Sequence, residues 1–491
     1  MPPAVKKVKT RMSEVSIQYF KEEYLKALEQ GSAALFAGAG LSKPSGFVDW
    51  KELMRDIADE LGLSVDEERD LISIAQFHVN KFGSRAKLNS LLIEEFTKDA
   101  RPTENHALIS DLPLDTVWTT NYDTLLEDAF TRAGKRVDRK TTKENLAQTK
   151  LNRDVVLYKM HGDVEQPQDA VLTKDDYEGY NESRPLFSTK LQGDLISRTF
   201  LFLGFSFDDP NIEYILGRIR TLIGQKNQRQ HFCIMRRIPK PKGRGKKLAV
   251  YEYEKTKQEL RVADLKRFGI QAVLIDDYKQ ITDILRDLHR DVYRRSVFVS
   301  GSAHEYAPLG RERIERLSHG LGRELIKQDY NLVCGMGLGI GGTIALGALE
   351  ELYRLERSIS ANSRTVLRPF PQKPPDGISR EALWTKYRED MISRAGFAVF
   401  LCGNKLVDGE LSVAQGVLEE WEIARRLGKY PIPIGVTGHA ASQIWEEVTA
   451  SLDTFYPKGG VRQHFKTLGD KKSSNEQILE AVFAIIKRIT K

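Results

Sequence analysis

Residues 33–42 read Ala-Ala-Leu-Phe-Ala-Gly-Ala-Gly-Leu-Ser, an apolar run that ends in a glycine turn. The run is short and wholly apolar, which is typical of a buried strand in a parallel sheet. Gly38 and Gly40 have no Cβ, so backbone amides in this turn could approach a pyrophosphate closely. The same turn would also serve as a tight strand-to-helix connection. The stretch therefore predicts the first strand of an α/β domain, with a nucleotide site as one reading of its turn.

Two further apolar runs end in polar side chains. Asn121 follows the run 115–119, and His161 follows the run 154–159. Polar groups at strand ends, near a phosphate-binding turn, are typical of a nucleotide site in an open α/β sheet. The glycine pattern is not that of a dehydrogenase, because Lys43 stands where a third glycine would be. Hydride transfer is therefore disfavoured.

The fold class predicted for the chain is α/β, with two Rossmann-like domains in tandem, each a mainly parallel sheet flanked by helices. The pattern restarts near residue 292, so we expect domains at 1–291 and 292–491. A helix is predicted over 50–61 and a long loop over 355–376. The strand-like runs lie at 33–37, 115–119, 154–159, 199–203, 231–235, 270–275, 296–300, 330–334, 397–402 and 430–435.

Composition predicts a soluble cytoplasmic protein. The hydrophobic fraction is 41% and the charged fraction is 29%, and no apolar stretch approaches the 18 residues of a membrane span. The basic N-terminus, residues 1–11, has no apolar core behind it and does not resemble a secretory signal. The net charge of +7 is mild for 491 residues, and the basic segment 239–247 is interpreted as a solvated loop, so nucleic-acid binding is disfavoured.

The cysteines give no metal site. Cys233, Cys334 and Cys402 are far apart, and none belongs to a Cys-x-x-Cys pair. A tetrahedral structural zinc site needs four ligands, usually in two close pairs. We therefore expect no metal and no disulfide framework, with Cys334 and Cys402 as buried free thiols.

Five short motifs in order resemble the sirtuin superfamily over roughly residues 15–290. They are Gly38-Ala39-Gly40-x-Ser42, Gly46-x-x-Asp49, Thr119-x-Asn121-x-Asp123, His161-Gly162 and Gly204-x-Ser206. The resemblance implies that NAD+ is the substrate, that Asn121 orients the ribose and the attacking water, and that His161 is the general base. It also implies NAD+ contacts by Gly38, Ala39, Gly40, Ser42, Asp49, Asp123, Gly204 and Ser206.

The chain departs from the deacylases of that superfamily in two ways. Lys51 stands where they usually have an arginine, and the cysteines of their zinc module are missing. The zinc module helps to form the groove for an acylated lysine. The resemblance therefore implies hydrolysis of NAD+ to nicotinamide and ADP-ribose rather than protein deacylation.

The second region, 292–491, resembles the SLOG family of nucleotide-sensing domains. The hydrolases among the SLOG relatives have a glutamate where this chain has Leu346, so the resemblance implies a domain that senses rather than cuts. The residues it implies for binding an activator are Gly301, Ser302, Gly337, Gly339, Gly341, Gly342, Arg388, Lys405 and Glu420.

A sirtuin-like domain fused to a SLOG domain resembles the effector family of Thoeris antiphage defence. The resemblance implies activation by a cyclic ADP-ribose isomer made by a partner TIR protein, depletion of NAD+ and abortive infection. It also implies a homo-oligomer, typically a tetramer that can stack into filaments. Three alternatives stay open: an NAD-dependent protein deacylase, a non-catalytic nucleotide-binding scaffold, and an NAD+-cleaving enzyme triggered by a phage protein.

Overall fold

The computed structural model divides the chain into two compact units, Met1–His289 and Arg290–Lys491. The structure describes residues 14–490 except 69, 208, 225–226, 242–244, 357–363 and 458. The basic N-terminus and part of the basic segment 239–247 therefore lie outside the described residues.

In the described part of the first unit, a parallel sheet of seven strands has the order β3-β4-β2-β1-β5-β6-β7. The prediction of a mainly parallel sheet is confirmed. The strand β3 was not predicted, because its sequence Val-Asp-Arg-Lys has no apolar run. The strands are β1 Ala33–Ala37, β2 Thr116–Thr119, β3 Val137–Lys140, β4 Val155–Lys159, β5 Thr199–Leu203, β6 His231–Arg236 and β7 Ile270–Ile275.

Helices connect these strands and cover the sheet. The helix predicted over 50–61 is wrong in one respect: it consists of two helices, because Met54 has a ψ of −3° and ends the first of them. The helices are Ile17–Glu29, Ala39–Ser42, Trp50–Leu53, Arg55–Leu61, Leu71–Phe82, Ala86–Phe96, Glu104–Asp111, Leu125–Arg132, Lys143–Ala147, Lys174–Glu178, Tyr180–Ser183, Pro185–Ser197, Pro210–Ile223, Lys246–Leu265 and Lys279–Val292, the last of which ends three residues beyond His289.

Two parts of the apolar core can be described among the residues that the structure covers in the first unit. One surrounds the sheet, where every residue of β1, β2, β4 and β5 is buried, as is typical of parallel strands that are covered on both faces. The other lies among the helices between residues 50 and 96. Tyr122 and Val164, which follow β2 and β4, pack into this second part. The helical part of the core therefore holds the loops in which Asn121 and His161 lie.

The second unit contains a parallel sheet of the order β10-β9-β8-β11-β14 and a separate hairpin, β12-β13, within its described residues. The long loop predicted over 355–376 is wrong in part, because three of its residues pair with β9 as β10. Residues 357–363 of that loop lie outside the described residues. The strands are β8 Ser296–Ser302, β9 Asn331–Cys334, β10 Thr365–Leu367, β11 Phe397–Cys402, β12 Asn404–Val407, β13 Glu410–Val413 and β14 Tyr430–Pro433.

The helices of the second unit flank this sheet, and its strands supply much of one continuous apolar core. No helix in the described ranges is both long and apolar enough to cross a membrane. The helices are Arg311–Lys327, Gly341–Arg354, Arg380–Ser393, Gln415–Arg426, His439–Ala450, Leu452–Phe455, Arg462–Gly469 and Asn475–Thr490.

Candidate active site and nucleotide site

The glycine turn after β1 packs directly against the turn after β5. The Gly38 N–H donates to the Leu203 carbonyl at 2.9 Å, and the Gly40 N–H donates to the Gly204 carbonyl at 2.9 Å. A Cβ on Gly38 would lie 2.5 Å from the Gly204 oxygen, and Gly204 itself has a φ of +67°. The glycines are therefore required for close backbone packing. The N–H groups of Gly38 and Gly40 are thus engaged within the protein.

Asn121 is bound to this turn. Its Nδ2 donates to the Gly38 carbonyl at 3.1 Å and to the Ser42 hydroxyl at 3.0 Å. Its backbone N–H donates to Thr119 Oγ1 at 2.9 Å, which fixes the loop at the end of β2. The side chain is buried, and its Oδ1 accepts no hydrogen bond from the described residues. Asn121 therefore has a fixed amide with one acceptor available to a bound molecule.

His161 lies at the matching position of the neighbouring strand. Thr119 of β2 and Lys159 of β4 are register partners in the parallel pair, and Asn121 and His161 each lie two residues beyond them. His161 is buried, and the ring of Tyr177 meets its imidazole edge to face at 5.4 Å. The structure therefore places Asn121 and His161 at the same edge of the sheet, at the ends of adjacent strands.

Asp209 is a site residue that the sequence interpretation missed. Its Oδ2 lies 3.1 Å from His161 Nε2, at an angle that is not that of a hydrogen bond. Its Oδ1 accepts the N–H groups of Asn211 and Ile212 and caps the helix Pro210–Ile223. Burial raises the pKa of Asp209, but the imidazole and the two N–H donors outweigh burial and hold the pKa below its ordinary value of 3.8. Asp209 is therefore a carboxylate facing the imidazole.

The sequence did carry a signal for part of this arrangement. An aspartate followed by proline at the start of a helical pattern is typical of an N-cap, and Asp209-Pro210 fits it. The pattern predicts the cap but not the contact with His161.

The two carboxylate oxygens of Asp123 have different surroundings. Its Oδ1 accepts the N–H of Leu125 at 3.0 Å, at the start of the helix Leu125–Arg132, and its Oδ2 is buried and unbonded within the described structure. The hydrogen bond to Leu125 and a contact to a ligand are therefore compatible, because each uses a different oxygen of Asp123.

The remaining residues expected at the NAD+ site have local contacts of their own. Asp49 caps the helix Trp50–Leu53 and pairs with Lys43 at 2.6 Å. Ser206 is exposed, and its carbonyl accepts a hydrogen bond from Arg261. Among the described residues, no hydrogen bond or ion pair joins Asp49 or Ser206 to Asn121 or His161. Ala39 lies in the turn itself, as the first residue of the helix Ala39–Ser42.

A buried polar cluster lies in the second unit. Glu420 Oε2 accepts the Ser300 hydroxyl at 2.5 Å, and Glu420 Oε1 lies 3.5 Å from Arg388 Nε. Arg388 also pairs with Glu419 at 2.8 Å and lies over the ring of Phe370 at 5.0 Å. Burial raises the pKa of Glu420 above its ordinary value of 4.5. Arg388 and Glu420, expected to bind an activator, are therefore brought together, and Arg388 is not a surface residue.

Most glycines of the second site are required by backbone packing. A Cβ on Gly337 would lie 2.0 Å from the Gly301 oxygen, and one on Gly339 would lie 2.4 Å from the Ala303 oxygen. Gly341 is equally confined, with a Cβ position 2.4 Å from the backbone of Met336. In contrast, Gly342, in the first turn of the helix Gly341–Arg354, has open space on its Cβ side.

Asn404 contacts Ser302 in space and precedes Lys405 in the chain. The Ser302 hydroxyl donates to the Asn404 carbonyl at 3.1 Å. The Asn404 side chain is fully buried and accepts the N–H groups of His304 and Glu305. Lys405 follows in β12 and is exposed. The buried amide of Asn404 therefore joins the segment that follows β8, which ends at Ser302, to the start of β12, which contains Lys405.

The three cysteines are buried free thiols, as predicted for Cys334 and Cys402. Burial raises the pKa of the Cys233 thiol to about 12. Within the described ranges, no group of three or more histidine, cysteine or acidic side chains could hold a metal ion.

Comparison with known proteins gives matches to both units. Residues 115–258 match the family of SIR2-like domains, and residues 280–489 match the Sir2- and TIR-associating SLOG family. A protein of Bacillus cereus (strain MSX-D12), NAD(+) hydrolase ThsA, is 42% identical over 96% of this chain and 98% of its own length. Proteins with the same name from Cytobacillus dafuensis and Acinetobacter baumannii (strain 532279) are 42% and 40% identical over 98% and 95% of this chain and 99% and 98% of their own lengths.

Proposed function

The chain belongs to the family of NAD(+) hydrolase ThsA, the Thoeris effector, and from this premise we propose that it cleaves the bond between nicotinamide and ribose in NAD+. One observation carries the proposal: Asn121 and His161 lie buried at the ends of adjacent parallel strands, beside the glycine turn. Parallel sheets bind nucleotides at this edge.

The chemistry of the site fits the substrate. Nicotinamide leaves NAD+ as a neutral base, so its departure needs no general acid. The ribose carbon that it leaves acquires oxocarbenium character and ribose hydroxyls need acceptors. Asn121 Oδ1 and Asp123 Oδ2 are buried acceptors without a partner in the described structure. A buried polar atom of this kind costs about 1–3 kcal/mol, which a bound ribose hydroxyl would recover.

The proposed reaction is a hydrolysis with one attacking water. The bond from the ribose carbon to the pyridinium nitrogen breaks, and its electron pair goes to that nitrogen. The water oxygen bonds to the ribose carbon, and His161 accepts the water proton directly or through a ribose hydroxyl. Asn121 orients the ribose and the water, and the carboxylate of Asp209 fixes the imidazole. A general base of this kind is worth about 10²–10⁴ in rate.

The second unit is proposed to be the control element. What supports this is the polar cluster of Arg388 and Glu420, since a guanidinium suits phosphate and a carboxylate suits ribose hydroxyls. Lys405 would add a second cation. The proposed activator is a cyclic ADP-ribose isomer from a TIR protein, and activation would deplete cytoplasmic NAD+ and abort infection. The proposal includes a homotetramer that can stack into filaments, which would sum the coupling energy of its sites.

A product assay separates this proposal from its alternatives. The full chain is incubated with NAD+, alone and with cyclic ADP-ribose or its isomers, and in parallel with NAD+ and an acetylated peptide. We expect equal amounts of nicotinamide and ADP-ribose, an increase with one isomer, and no deacetylated peptide. Peptide-dependent NAD+ loss would instead identify a deacylase, and an unchanged NAD+ balance in every arm would identify a scaffold. Turnover that responds to a phage lysate and to none of the nucleotides would move the trigger to a phage protein.

A further inference from the structure

Lys159 is a fully buried lysine at the end of β4, two residues before His161. A lysine is almost never buried completely unless its ammonium group is paired. The proposed hydrolysis gives this side chain no part in proton transfer or in binding the ribose. The contacts of its ammonium group suggest a different role.

The ammonium group of Lys159 joins the loop of Asn121 to the loop of His161. On one side, Nζ donates to the carbonyls of Tyr122 at 3.1 Å and Asp123 at 2.5 Å, the two residues that follow Asn121. On the other side, it lies 2.5 Å from Asp163 Oδ2, two residues after His161. One buried charge therefore links both polar loops across the end of the β2–β4 pair.

The charges around Lys159 keep the ammonium group ionised. Glu127, in the helix that follows the Asn121 loop, lies 3.0 Å from Nζ. Burial lowers the pKa of Lys159, but the carboxylates of Glu127 and Asp163 outweigh it and hold the pKa above 10.5. The ammonium therefore remains charged through the neutral pH range and its hydrogen bonds to the two carbonyls persist.

A fold that needed only stability at this point would not require the charge. Replacing a buried ion pair by apolar residues of similar volume is often neutral or stabilising. An apolar side chain, however, could not hold two carbonyls of the Asn121 loop and a carboxylate of the His161 loop in a fixed arrangement. These partners lie one or two residues after the two candidate catalytic residues, which relates the lysine to the geometry of the site.

We propose that Lys159 is a positioning residue of the active site, which sets the placement of Asn121 relative to His161 without touching the substrate. The inference rests on the proposed NAD+ hydrolysis. A misplacement of about 1 Å can cost about 10² in rate. Loss of the link is therefore expected to lower kcat about 10–100-fold and to change KM less than about threefold, because the binding contacts elsewhere are kept.

The test compares Lys159→Met with Lys140→Met in the full chain. Lys140 is also buried and pairs with Asp138 at 2.8 Å, but its described partners lie in neither polar loop. Nicotinamide release from NAD+ is measured with the most effective cyclic ADP-ribose isomer, at a temperature below the melting transition of every variant. We expect a reduced kcat only for Lys159→Met, whereas both variants lose some melting temperature.

A second variant covers the case in which Lys159→Met does not fold. Asp163→Asn keeps the shape of the partner on the His161 side and removes its charge, and it is expected to lower kcat about tenfold or more. A wild-type chain that releases no nicotinamide would refute the proposed function. A wild-type chain that does so, with unchanged kcat in the foldable Lys159 and Asp163 variants, would overturn the positioning role alone.

Discussion

His161 Nε2 lies 3.1 Å from Asp209 Oδ2, although the strands that precede these two residues, β4 and β5, are not neighbours in the sheet. β1 and β2 separate β4 from β5, so Asp209 meets the imidazole across the ends of two intervening strands. The same carboxylate caps the helix Pro210–Ile223. One side chain thus fixes the end of a helix and faces the candidate base.

The two roles of Asp209 can be separated by substitution. Asparagine is as good an N-cap as aspartate but carries no charge. Asp209→Asn is therefore expected to keep the melting temperature within a few degrees and to lower kcat about tenfold or more, through the loss of an oriented base. Steady-state nicotinamide release and a thermal melt measure the two effects.

The matched control is Asp70→Asn, which changes another helix N-cap in the same unit, where Asp70 accepts the N–H of Ser73. It should leave kcat unchanged. Equal kcat values for both variants and the wild type would show that the carboxylate facing His161 has no part in turnover.

Gly38 and Gly204 are expected to be intolerant of a methyl group for different reasons. Gly38 has a backbone conformation that alanine can adopt, but its added Cβ would overlap the Gly204 oxygen. Gly204 has a left-handed φ, and its added Cβ would also lie 2.4 Å from the Leu41 nitrogen. Overpacking of this kind costs about 1–3 kcal/mol. Gly31→Ala is the control, because Gly31 has a φ of +65° and open space, and only the backbone cost of about 1–2 kcal/mol applies. Thermal melts should rank Gly204→Ala as the least stable, and a wild-type melting temperature for Gly38→Ala would contradict the packing.

The stability of the second unit should depend on the ionisation of Glu420. Its folded pKa is raised above 4.5, so the folded state binds more protons than the unfolded state between pH 4.5 and the folded pKa. Stability from this group is complete below pH 4.5 and is lost as the pH rises through the folded value. Glu420→Gln has no carboxyl group to ionise and does not lose this stability. The melting temperature of the variant minus that of the wild type should therefore increase from pH 4.5 to pH 7.5. A difference that is constant with pH, or that decreases, would contradict the burial cost.

The sequence predicted the strands that have apolar runs and the site residues at their ends. It predicted Asn121 and His161 as candidate site residues because each follows such a run and belongs to a motif that resembles the sirtuins, and the sheet order makes the preceding strands neighbours. It missed β3, where a buried ion pair of Asp138 and Lys140 replaces an apolar pattern. It missed the strand Thr365–Leu367 because three residues give no periodicity.

The contacts that organise the site could not be predicted from the sequence, for a physical reason. The Asp209–His161 contact and the partners of Lys159 join loops that are far apart in the chain, and their meeting depends on how those loops extend past the strand ends. A motif fixes residue types over a few positions and carries no information on such distances. The glycine turn after β1 illustrates the same limit. Its sequence pattern predicted a turn, but it did not predict that the backbone of Gly204 packs against Gly38 and Gly40.

The most direct measurement of the central claim is nicotinamide release from NAD+ by the full chain and by Asn121→Ala and His161→Ala, with and without cyclic ADP-ribose isomers. We expect release by the wild type, less than about a tenth of it in either variant, and a retained fold and isomer affinity in both. Release by both variants at more than about a tenth of the wild-type rate would contradict the assignment of the site, and no release by the wild type under any condition would contradict the activity itself.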